Sequence, residues 1–115
     1  MITHKLDEAD KTLRIEVAGD LLSTNFDRVN GDIQTILNAD DVKASAWSTL
    51  VLDLTAAKLI DSMGLNILVG LVKRVGAPPR HGRLKTRIAS QTIHRTLLFT
   101  RLEKYTEVEM VGKAA

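Results

Sequence analysis

LVLDLTAAKLIDSMGLNILVGLVKRV, residues 50 to 75, holds a strand, a loop and a helix start in one stretch. With Thr49 in front, Leu50 to Leu54 is an almost unbroken apolar run, which suits a central strand buried on both faces. Thr55 to Asp61 is a short loop, and Gly64 is the small residue of the turn that follows it. From Ser62 to Val75, Leu65, Leu68, Val72 and Val75 return at spacings of three and four, the stripe of an amphipathic helix. Gly76 followed by Pro78 and Pro79 stops that helix. A buried strand passing through a short loop into a helix is the repeating unit of an α/β fold.

The flanks extend the alternation. Upstream, Asn38 to Ser48 is small and polar and reads as a surface loop. Before it, Ser23 or Thr24 is placed to cap a helix running to about Asn38, with Phe26, Val29, Ile33, Ile36 and Leu37 as its core face. Leu13, Ile15 and Val17 alternate with Arg14 and Glu16, the period-2 pattern of a strand with one buried face, and Gly19 ends it. Thr3 to Leu6 precedes the polar turn Asp7 to Lys11 and is expected to form an opening hairpin with that strand. Downstream, Leu84 to Ala89 reads as a strand. Ser90 or Gln91 then opens a helix with Ile93, Leu97, Leu98 and Leu102 on its apolar side. A short strand near Tyr105 to Glu109 closes the pattern. The sequence therefore predicts one α/β domain over residues 1–111, a mixed sheet of four to five strands covered by three to four helices, with 112–115 as a flexible tail.

Composition narrows the chemistry. The chain has 115 residues, 44% apolar and 26% charged, the balance of one globular domain rather than a disordered chain. It lacks cysteine, which removes disulfides, thiolate metal sites and cysteine nucleophiles. His4, His81 and His94 are scattered without ligand spacing, so no metal site is expected. Neither GxxxxGK[ST] nor GxGxxG occurs, and no cofactor is read from the sequence. Ser62, His94 and Asp61 lack the Gly-x-Ser-x-Gly elbow of a hydrolase, so no catalytic residue is assigned. The polar N-terminus is unlike a secretory signal, and the apolar run Ile67 to Val72 is far shorter than the roughly 20 residues of a membrane span. A cytoplasmic protein that does not enter the membrane is expected. The net charge of +2 conceals an asymmetry: residues 1–61 carry eleven acidic and six basic side chains, and 62–102 carry eight basic and no acidic ones. The single Trp, single Tyr and two Phe leave too few rings for a nucleic-acid stacking platform, so no direct nucleic-acid contact is expected.

Within residues 50–75 the strand end Asp53, Leu54 and Thr55, and the turn Ile60, Asp61, Ser62, Gly64 and Leu65, resemble the STAS domain of bacterial anti-sigma-factor antagonists. Gly19, Asp20 and Leu21, after the second strand, and the basic strand and Leu-rich helix within Gly82 to Glu109 extend the resemblance over nearly the whole chain. It implies a STAS-like fold and a partner-switching role. An anti-sigma-factor serine kinase would bind the unphosphorylated chain and release a sigma factor, phosphorylation of Ser62 would abolish that binding, and a serine phosphatase would reset it. The chain itself would be non-enzymatic, a monomer or weak dimer. The alternative is a STAS scaffold or transporter-associated subunit that uses the same helix without phosphorylation. Two positions depart from the family pattern: Leu22 stands where an Asp is common, and Met63 replaces a frequent second Ser.

The Ser62 position also has a plain structural reading, a helix N-cap contributing about 1 kcal/mol, and Asp61 shares it. A phosphate there would add about −1.5 to −2 charges beside the positive end of a helix dipole, where the fold can accommodate it. On a helical wheel Ser62 shares a side with Met63, Asn66, Val69, Gly70 and Lys73, opposite Leu65, Leu68, Leu71, Val72 and Val75. Together with Asp20, Asn25, Asp61 and Gly64, this side is the expected partner-binding surface.

Overall fold

The computed structural model describes residues 2–111, so the expected tail at 112–115 lies outside the described residues. The chain begins with an antiparallel hairpin of β1 (Ile2–Asp7) and β2 (Thr12–Val17). Then come α1 (Phe26–Asn38), a short α2 (Asp40–Ala44), β3 (Thr49–Leu54), α3 (Ser62–Gly76), β4 (Arg83–Ile88) and α4 (Gln91–Phe99). A 3-10 turn at Leu102–Lys104 leads to β5 (Glu107–Met110).

The five strands lie in sequence order, β1-β2-β3-β4-β5, with every pair after the hairpin parallel. Right-handed crossovers that always step in the same direction place their helices on one face of the sheet. Side-chain alternation agrees with this. Leu13, Ile15 and Val17 of β2, Leu50, Leu52 and Leu54 of β3, and Leu84 and Ile88 of β4 form one core with Val29 and Ile33 of α1, Leu68 and Leu71 of α3, and Ile93 and Leu97 of α4. Thr86 shares that face, and its buried hydroxyl lies 2.9 Å from that of Thr106. Thr106 in turn donates to the Leu84 carbonyl at 2.8 Å, so neither hydroxyl is stranded in the core.

Among the described residues the opposite face carries no helix. There Val51 pairs in register with Arg14 and Lys85, and Asp53 with Glu16 and Arg87. Val51 is buried but stands outside the main core, beneath the aliphatic stems of its charged neighbours. The ion pairs Arg14–Asp53 (3.3 Å), Arg87–Asp53 (3.2 Å), Arg87–Glu109 (3.4 Å) and Lys85–Glu109 (3.2 Å) run across it. The central strand is therefore buried on both sides as its apolar run predicts, but one cover is charged side chains rather than helices.

Other expectations shift in detail. The stretch 38–48 is not a bare loop: it contains α2, with Val42 fully buried and the Trp47 ring packed into the core. The Trp47 indole Nε1–H donates to the Val42 carbonyl at 3.0 Å. Neither Ser23 nor Thr24 caps α1. Asn25 occupies the cap position without a side-chain bond to the helix. In α3 the buried arc is Gly64, Ile67, Leu68, Leu71 and Val75, with Leu65 and Val72 only half-buried at its border. Leu98 is exposed, and Leu102 belongs to the 3-10 turn rather than to α4.

Candidate functional site

Two loops at the C-terminal end of the parallel strands build the site. The first follows β2. Gly19 turns the chain with φ +133°, a conformation L side chains rarely adopt. The second follows β3, and its turn is made by the Asp-Leu-Thr sequence itself. Asp53 Oδ1 accepts from Thr55 N at 3.0 Å and from Thr55 Oγ1 at 2.7 Å, while Oδ2 takes the two arginines. Burial pushes the Asp53 carboxyl up, but the Thr55 bonds and the charges of Arg87 and Arg14 outweigh it and hold the pKa below the usual value.

The two loops are bound together by carboxylates and backbone. Asp20 Oδ1 accepts from the N–H groups of Lys58 (2.7 Å) and Leu59 (3.2 Å). Leu21 N donates to the Leu59 carbonyl and Asp61 N to the Leu21 carbonyl, a single parallel bridge between Leu21 and Ile60. Asn25 braces the first loop from within: its Oδ1 accepts from Leu22 N and its Nδ2 donates to the Asp20 carbonyl. Leu22, the position that departs from the acidic residue of the resembled pattern, is half-buried and brings no charge to this loop.

Asp61 is the joint. Its Oδ1 accepts from Met63 N (3.0 Å) and Gly64 N (3.1 Å), capping α3, and its Oδ2 accepts from Ser23 N at 2.7 Å in the other loop. The Ser23 bond is the largest cause of a carboxyl pKa below the usual value, reinforced by the bonds from Gly64 and Met63 against a smaller opposing effect of burial. The capping reading of Ser62 is thereby corrected. Asp61 holds the cap, and Ser62 is the first helical residue, exposed, with no hydrogen bond from its hydroxyl to any described residue. Ser90 shows the contrast: its Oγ accepts from Ile93 N at 3.2 Å and donates to the Lys58 carbonyl at 3.0 Å, so that hydroxyl is engaged.

Along α3, Ser62, Asn66, Gly70 and Lys73 are all exposed and share one face, flanked by the half-buried Met63 and Val69. Gly64 does not belong to this surface. It is buried, and a Cβ there would lie 2.5 Å from the Leu21 carbonyl oxygen and 2.6 Å from Ile60 Cγ1. Its role is the close approach of α3 to the Leu21–Ile60 bridge. Asp20 is tied to the loop that leads into Ser62 through Lys58 and Leu59, and Asn25 bonds only within its own loop, so both side chains are engaged in fixing the loops. Leu59, half exposed in the Ser62 loop, was missed by the sequence reading. It stands next to Ile60 in the loop, and nothing in their order tells which of the two stays exposed. Among the described residues no group of His, Cys, Asp and Glu could hold a metal ion, and no helix is long and apolar enough to cross a membrane.

Comparison with known proteins bears on the fold and the family. The family model described as "STAS domain" matches residues 4–109. No curated protein matches the sequence. Similar solved structures include an anti-sigma factor antagonist from Mycobacterium paratuberculosis, 19% identical with a TM-score of 0.73 over 96% of this chain and 87% of that one. A putative anti-sigma factor antagonist from Thermotoga maritima is 16% identical, TM-score 0.76, covering 96% and 86%. The Bacillus cell fate determinant SpoIIAA in its phosphorylated form is 17% identical, TM-score 0.63, covering 96% and 92%.

Proposed function

The chain belongs to the STAS-domain family, and on that premise we propose that it is an anti-sigma-factor antagonist switched by phosphorylation of Ser62. In its unphosphorylated form it binds a cognate anti-sigma-factor serine kinase and releases a sigma factor. The phosphorylated form does not bind, and a serine phosphatase restores the first state. The chain contributes a surface, not a reaction, and works in the cytoplasm.

The observation that carries this reading is the division of labour at the start of α3. Asp61 takes the N–H groups of Met63 and Gly64, so the Ser62 hydroxyl is exposed without a structural duty. A kinase can reach it, and its modification removes no bond of the fold. The phosphate would stand at the positive end of the α3 dipole, which tolerates the charge. It would also stand next to the Asp61 carboxylate, so the modified surface presents two adjacent anionic groups. Like or unpaired charge buried in an interface costs several kcal/mol, enough to change affinity by orders of magnitude. The contact surface on this reading is Ser62, Met63, Asn66, Val69, Gly70 and Lys73, with Leu59 beside them, while Asp20, Asn25 and Asp61 fix the loops from which it projects.

Intact-mass analysis and peptide mapping of the protein purified from its native cells test the modification. One added phosphoryl group is expected, mapped to Ser62 and absent from Ser62→Ala. Modification confined to other residues would refute the assignment.

A further inference from the structure

The other end of the sheet holds a second arrangement that the Ser62 switch does not use. β3 begins at Thr49 and α3 ends at Gly76, so the segments before β3 and after α3 meet at the N-terminal edge of the parallel strands. There the Arg80 guanidinium lies over the Trp47 ring, 3.9 Å from its centroid, and donates to the backbone carbonyls of Lys43, Ser45 and Trp47. Beside it opens a cleft of ≈ 270 Å³ walled by Leu37, Pro78 and Pro79 and edged by Lys43, Arg74 and Arg80.

The cleft is short of negative charge. Among the described residues, none of these three cations forms an ion pair with a carboxylate. Arg74 donates to the amide oxygens of Gln34 and Asn38, neutral groups that orient its fork without offsetting its charge. Arg80 is held by neutral carbonyls alone, and burial pushes its pKa down. Arg80 is drawn partly out of water without a counter-ion, which is costly, and the exposed Lys43 and Arg74 at the edge of the same recess add positive charge that favours an anion between the three. The adjoining recess shares Lys43, Trp47, Pro79 and Arg80. It is lined also by Ser45, whose buried hydroxyl has no hydrogen-bond partner among the described residues.

We infer that this cleft binds a small organic phosphomonoester, its dianionic head held by Lys43, Arg74 and Arg80 and its apolar body resting on Leu37, Pro78 and Pro79. Of the five N–H donors of each guanidinium, three remain on Arg74 and two on Arg80 after the bonds above; with the Lys43 ammonium they match a phosphate dianion in charge and in donor number better than they match a single carboxylate. The volume is at the small end for a ligand site and admits a body of about one ring.

Trp47 is the only tryptophan of the chain, so tryptophan emission comes from the wall of this cleft. The full chain is titrated at constant ionic strength with phenyl phosphate and, separately, with inorganic phosphate. Phenyl phosphate is expected to change the emission saturably at sub-millimolar concentration. Binding should weaken by about tenfold or more in Lys43→Gln and in Arg74→Gln, and inorganic phosphate should bind wild type about tenfold more weakly than phenyl phosphate. Lys43 is exposed, so Lys43→Gln keeps the test decisive if Arg74→Gln melts early. Absence of a saturable change in wild type, unaltered affinity in Lys43→Gln, or equal affinity for inorganic phosphate would overturn the inference.

Discussion

Asp61 and Ser62 are adjacent in the chain and opposite in duty. Asp61 accepts three backbone N–H groups from two segments, so its charged form is tied to the folded site, and its carboxyl pKa is lowered on folding. Such a group stabilises the fold fully above its unfolded value, near the ordinary 3.8, and this stabilisation is lost as pH falls through the lower folded value. Urea unfolding from neutral to acid pH should therefore show wild type losing stability more steeply than Asp61→Ala, which should already be less stable at neutral pH. Parallel pH profiles would contradict the clasp. Two glycines of the same helix should respond in opposite directions. Gly64→Ala places a methyl group against the Leu21 carbonyl and Ile60 and should cost about 1–3 kcal/mol by denaturant unfolding. At Gly70 a Cβ meets nothing within 4 Å, so Gly70→Ala should stabilise by about 0.5–1 kcal/mol.

Elements were legible in the sequence where periodicity was strong. β3 spans Thr49–Leu54 as its apolar run indicates, and α3 differs from its expected span by one residue, because Gly76 and the two prolines end it. The exposed face of α3 was legible too, since Ser62, Asn66, Gly70 and Lys73 fall on one side of any regular helix. The misses have local causes. Polar and small residues hid α2, which is held by a single buried side chain, Val42, by the Trp47 indole bonding back to the Val42 carbonyl and by Arg80 bonding the Lys43 carbonyl. Capping was assigned from residue type alone, and here Ser23 contributes its backbone N–H to Asp61 rather than its side chain to α1. Long-range clasps such as Asp20 to Lys58 and Leu59 carry no sequence spacing that would announce them. The sheet's open face was not readable from β3 by itself, because an apolar Val51 looks the same under a helix or under arginine and lysine stems. It becomes testable at this scale. Leu52→Ala, on the helix-covered face, should cost about 3 kcal/mol, whereas Val51→Ala should cost about 1 kcal/mol, since flexible stems can close over the gap. Equal costs in urea unfolding would contradict a one-sided core.

At the scale of the molecule the monotonic strand order separates three surfaces. The C-terminal ends of the strands carry the Ser62 face, the N-terminal edge carries the Trp47–Arg80 cleft, and the uncovered sheet face carries the Arg14–Asp53–Arg87–Glu109 ladder. A phosphate at Ser62 touches only the first, which is why the fold should survive modification while recognition changes. The paired use of Ser62→Ala and Ser62→Asp as baits in native lysate, with both variants first shown to melt as wild type does, examines this most directly. The account predicts that Ser62→Ala captures an anti-sigma-factor serine kinase and that Ser62→Asp recovers far less of it. Equal recovery of that kinase by the two baits would contradict the account.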